Sequence, residues 1–116
     1  MELEDPTQIL RALFPEIYKL ALEQNWNINW GETHTGKGFV EMNSRLYDIR
    51  VVKDKGGEIF LEFSAPKKWH DLRSLLGQKE QEIGDIRSES EVVTLFKDNR
   101  SKIPDLLENV EKKKTP

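Results

Sequence analysis

The sequence predicts an α+β domain: an N-terminal helix kinked near Pro15, an antiparallel meander of three to four strands, then two to three C-terminal helices packed on one face. Three observations carry this. Apolar residues recur at helical spacing before residue 25 and again after residue 88. Between those segments the period drops to two, most clearly in LYDIRVVK (46–53) and EIFLEFS (58–64). The DKGG joining those two runs supplies the positive-φ positions of a tight reversal.

Taken in order, Asp5-Pro6 opens the first helix, with the aspartate as cap, proline in the first turn and Gln8 completing a box-like cap. Ile9, Leu13, Ile17 and Leu20 form its stripe, widened by Leu10, Phe14 and Ala21. Pro15 would leave the Arg11 carbonyl without its helical partner, so a kink or two helices meeting near Phe14 is expected. Asn25 suits a left-handed exit. Trp26, Ile28 and Trp30 then alternate with Asn27 and Asn29, and residues 39–43 read as a second strand. In the hairpin, Tyr47, Ile49 and Val51 share a face with Ile59, Leu61 and Phe63, while Asp48, Arg50, Glu62 and Ser64 line the other. A helix is expected from Ser64-Ala-Pro66, with Trp69, Leu72, Leu75 and Leu76 as its stripe and Gly77 as terminator. Another starts at Ser88 or Ser90 and carries Val92, Val93, Leu95 and Phe96. Pro104 fits the first turn of a last helix.

The 116 residues suit one domain spanning 1–116, with 112–116 expected to fray. Apolar residues are 36% and charged residues 34%, so a modest core and a densely charged surface follow. The absence of cysteine excludes disulfides and thiolate metal sites. The opening MELEDPTQIL has no basic, apolar signal pattern and no apolar run is long enough to span a bilayer, so a soluble, cytoplasmic protein is expected. A net charge of -3 disfavours general polyanion binding.

GETHTGKG (31–38) nearly spells a phosphate loop, but Gly38 stands where the motif needs a magnesium-binding hydroxyl. The following FVEMN looks extended, whereas an anion site of this type needs a helix N-terminus there. No motif implies a cofactor or a metal. His34 and His70 lack the spacing of a zinc set, although either could join carboxylates in a small enzyme or nuclease-like subunit. A nucleic-acid reading rests on Arg45, Arg50, Lys53 and Lys55 near Tyr47, with Lys67 and Lys68 beyond, interrupted by Asp48, Asp54, Glu58 and Glu62.

The feature that stands out most is the polar stretch GQKEQEIGDIRSESE (77–91), with Glu80, Glu82, Asp85, Glu89 and Glu91 against Lys79 and Arg87. Long polar connections in small domains are often functional, and an acidic one speeds encounter with a basic partner. All three tryptophans suit core positions, and Trp30, beside the glycine loop, is the one placed at the surface among partner-binding residues. The expected function is a non-catalytic protein-binding module of the inhibitor, immunity or adaptor kind, whose acidic loop meets a protein partner with a basic surface. The order of elements loosely resembles small bacterial immunity proteins, but no diagnostic residue carries that likeness.

Overall fold

Two prolines shape the N-terminus. In the computed structural model, which describes residues 5–32, 36, 38–64, 68–77 and 85–113 (side chains only to residue 110), α1 spans Pro6–Leu13 and α2 spans Pro15–Glu23. The Asp5 carboxylate accepts the Thr7 N–H at 3.0 Å and caps α1. Phe14 breaks out at φ -136°, ψ 70°, because Pro15 has no N–H for the Arg11 carbonyl and its ring clashes with a continuous helix. Phe14 offers α2 no capping side chain. Glu89, far along the chain, supplies the cap instead: its Oε2 accepts the Glu16 and Ile17 N–H groups, both at 2.9 Å. Asn25 ends the helical stretch at φ 58°.

The strands are β1 (Asn27–Glu32), β2 (Gly38–Asn43), β3 (Asp48–Lys53), β4 (Ile59–Ser64) and β5 (Trp69–Asp71), an antiparallel meander in chain order. Ser44 builds the β2–β3 turn, its Oγ accepting the Tyr47 N–H at 3.0 Å. Asp54 builds the β3–β4 turn by accepting the Gly56 and Glu58 N–H groups at 2.9 Å, and Gly57 takes φ 89°. The expected alternation across β3 and β4 holds, with Ile49 opposite Phe63, Val51 opposite Leu61 and Arg50 opposite Glu62. At the end of the glycine–lysine segment, Gly38 begins β2 and not a helix. Lys37 and residues 33–35 lie outside the described residues.

One stretch departs from expectation. Trp69 does not lead a helical stripe: residues 69–71 form a fifth strand, and only α3 (Leu72–Leu76) is helical. The free edge of β4 decides this, since Glu62, Phe63 and Ser64 pair with Asp71, His70 and Trp69 and so satisfy backbone groups that a helix here would leave unpaired. The proposed start of that helix, residues 65–67, lies outside the described residues. Asp71 caps α3 and Gly77 ends it at φ 68°.

The Ile86 carbonyl accepts the Ile59 N–H at 2.7 Å. Ser88 caps α4 (Glu89–Asn99), a 3-10 turn covers Arg100–Lys102, and α5 (Ile103–Lys113) follows with Pro104 in its first turn. Of the tail expected to fray, residues 112 and 113 are helical, and 114–116 lie outside the described residues.

Helices and sheet meet in one hydrophobic cluster. Met42, Ile49, Leu61 and Phe63 project from one sheet face against Leu10, Ile17, Leu20, Val92 and Ile103, all buried. Phe96 is the hub: its ring stacks on Phe63 at 6.0 Å and meets Trp26 edge-on at 5.3 Å. Tyr47 is also buried, and burial pushes its hydroxyl pKa up, with Arg100 pulling the other way.

Candidate functional site

With every buried strand residue but Ser64 pointing to the helices, the other face of the sheet is built from polar and aromatic side chains. Register lays them in rows. Asn29, Glu41, Arg50, Glu62 and Asp71 lie opposite one another across all five strands. Beside that row run Asn27, Asn43, Asp48, Ser64 and Trp69. On the other flank, Gly31 lies opposite Phe39 and Val52 opposite Phe60.

Arg50 is the centre. Its guanidinium lies 5.2 Å from the Phe39 ring centroid and 4.6 Å from that of Trp69, and the two rings meet edge-on at 5.9 Å. Its Nε donates to Glu62 Oε1 at 2.6 Å. A planar cation held by a carboxylate and two π faces gives up little further freedom when something docks on it. Gly31 makes room for this. A Cβ there would lie 2.6 Å from the Phe39 ring, so only glycine lets the ring lie across β1. Ser64, opposite Trp69, is buried.

Two polar networks flank the cluster. Asn43 Nδ2 donates to Asp48 Oδ1 at 2.8 Å and to Glu41 Oε2 at 3.0 Å, while Asn29 Nδ2 donates to Asn43 Oδ1 at 2.6 Å. On the β4–β5 side, Arg73 is only 7% exposed, donates to Glu58 at 2.6 Å, sits 3.6 Å from Asp71 and lies over the Phe60 ring at 5.3 Å. Burial pushes the Asp71 carboxyl above its usual range. The Arg73 charge and backbone N–H groups pull against that rise, and nearby Glu62 adds to it. The Arg73 pKa is raised as well: burial works against the cation, but the Glu58 hydrogen bond and the neighbouring carboxylates outweigh it. Five carboxylates (Glu41, Asp48, Glu58, Glu62 and Asp71) thus surround two guanidiniums, leaving an acidic surface with an aromatic–arginine centre.

The residues singled out from sequence lie elsewhere. Glu80 and Glu82 fall outside the described residues. Asp85 is exposed and pairs with Arg87 at 3.4 Å. Glu89 and Glu91 belong to the first turn of α4, not to a loop, and Glu89 is engaged as the α2 cap. Trp30 is 49% exposed on β1. The structure does not bring Trp30 to Glu89, which sits against α2. His70 turns to the helix side opposite Phe63, and His34 lies outside the described residues. Of the basic residues, Arg50 is locked in the cluster, Lys53 and Lys55 are exposed near the β3–β4 turn, and Lys67 lies outside the described residues. Among the described residues, no three His, Asp or Glu side chains group so as to hold a metal, and no helix is long and apolar enough to cross a membrane.

The cluster of Phe39, Arg50 and Trp69 is what sequence reasoning missed. Phe39 and Arg50 carried an alternation signal. Trp69 did not, because its strand is three residues long. The chain matches no protein-family model, no curated protein and no solved structure.

Proposed function

We propose that this protein is a non-catalytic protein-binding module, of the inhibitor or adaptor kind, that docks a basic surface of a partner protein on the open face of its sheet. The supporting observation is the Arg50 guanidinium fixed between Phe39 and Trp69 within a row of carboxylates. Tryptophan and arginine are the residues most enriched where interface energy concentrates, and a pre-ordered side chain loses less entropy on binding. The surrounding carboxylates select the sign of the partner and accelerate encounter.

The test starts from a photo-crosslinking amino acid at Val52, which is exposed on the open face, in cells that produce the protein. The captured protein is then purified and titrated. Glu41→Lys with Glu62→Lys is expected to weaken its binding at least about tenfold, equal to about 1.4 kcal/mol, and to flatten its salt dependence. An affinity unmoved by that double reversal, in a variant that still folds, would refute the proposal.

A further inference from the structure

The two edges of the sheet are not alike. β5 is three residues long and runs straight into α3, so it offers little backbone to a visitor. β1 is six residues long, pairs with β2 over its whole length without a bulge, and contains neither proline nor lysine. Those are the usual devices that stop an edge from recruiting another strand. Among the described residues the far side of β1 has no strand partner.

Beside that edge lies an apolar groove. α1 packs over β1 and β2, and between them is a cavity of about 230 Å³ whose lining includes Ile9, Leu13, Trp30 and Val40. Leu13 is 65% exposed and Trp30 49%. On the opposite side of the same edge stand Asn27 and Asn29, with Glu41 in the next strand.

We infer that β1 accepts an extended segment of the partner as a sixth strand, one that alternates apolar and basic residues. This deepens the protein-binding function proposed above and rests on it. Side chains of an added strand alternate between the two faces. Those on the helix side meet Trp30 and Leu13. Those on the open side pass Asn29, and a lysine or arginine there reaches Glu41 across roughly two strand spacings of about 5 Å. Glu41 on the open side and the apolar lining on the helix side match a segment that is basic on one side and apolar on the other.

The probe is a ten-residue peptide alternating valine with lysine and threonine, titrated into the ¹⁵N-labelled full chain. Three controls accompany it: the same peptide with glutamate for lysine, one N-methylated at alternate residues, and Leu13→Ser and Trp30→Ala variants of the protein. In the free protein, the β1 amides not bonded to β2 should exchange rapidly with solvent. The lysine peptide should shift and protect them, and the glutamate and methylated peptides should bind at least about tenfold more weakly. Each variant should weaken binding by a similar factor. Protected β1 amides in the free chain, or concentration-dependent shifts of those amides without peptide, would overturn the inference by placing another segment or a second copy there. Absence of saturable binding below about 1 mM would overturn it too. A partner whose binding responds to the Glu41 and Glu62 reversals but ignores Leu13→Ser and Trp30→Ala would sink this inference alone and leave the proposed function standing.

Discussion

The two faces of one sheet obey different rules. On the helix side, Met42, Ile49, Leu61 and Phe63 are fully buried and their worth is their burial. On the open side, Phe39, Arg50 and Trp69 are each only half-buried, yet they are held in one geometry by ring contacts and an ion pair. The covered face makes the fold, and the open face carries the ordered aromatic–arginine surface proposed above to dock a partner. Ordering half-buried tryptophan and arginine side chains outside the core costs side-chain entropy, which the proposed docking of a partner would put to use.

The contrast breaks down or sharpens with substitution. Phe96→Ala should have the largest effect, about 3–5 kcal/mol by urea unfolding, because it removes the ring that joins Phe63 to Trp26. A cost below about 1 kcal/mol would mean that the covered face is not the core. Gly31→Ala comes next, at roughly 1–2 kcal/mol, since its Cβ would collide with a Phe39 ring that is wedged and unable to swing away freely. The same variant should displace the ring shifts of Phe39 and Trp69 in NMR spectra while leaving those of Phe63 in place. Uniform shifts on both faces would erase the distinction.

Glu89→Ala should cost about 1 kcal/mol, the usual worth of a cap, with amide exchange rising at Glu16 and Ile17. Glu91→Ala, in the same turn with an exposed side chain, should change stability by less than about 0.5 kcal/mol. Equal effects would deny Glu89 its structural use.

Asp71→Asn gives a small effect with a distinctive pH profile. The carboxyl's folded pKa is raised, so the protonated form is favoured in the fold. Its contribution is therefore present below the unfolded value near 3.9 and is lost as pH rises through the raised value. Asparagine keeps the cap to the Arg73 N–H without the buried charge. Stability at pH 7 should be unchanged or slightly higher, and any gain should vanish as the pH falls below the unfolded value. A loss at pH 7 that grows with pH would reverse the sign of the account.

Much of this was legible in the chain. Pro15 announced the helix break, DKGG the hairpin, and the alternation of 48–53 with 59–64 fixed which side chains share a face. Trp69 reads as helical because Trp69, Leu72, Leu75 and Leu76 also fit a helical period, and a three-residue strand is too short to show its own. What decides it is a pairing with β4, a tertiary fact. The cap that Glu89 gives α2 spans more than seventy residues, which no local pattern can announce. Glu89 therefore looked from sequence like one more surface acid. The open-face cluster draws on β2, β3 and β5, so its members come together only once the register is known.

The most direct measurement sets binding against folding for Trp69→Ala. Urea unfolding and calorimetric titration with the partner captured through Val52 are run on the same preparation. We expect unfolding free energy to fall by no more than about 2 kcal/mol, as for a half-buried ring, while affinity falls by at least about tenfold. An affinity that stays within about twofold of the parent, with stability lost as from a core position, would contradict the account and make the aromatic–arginine cluster a part of the fold alone.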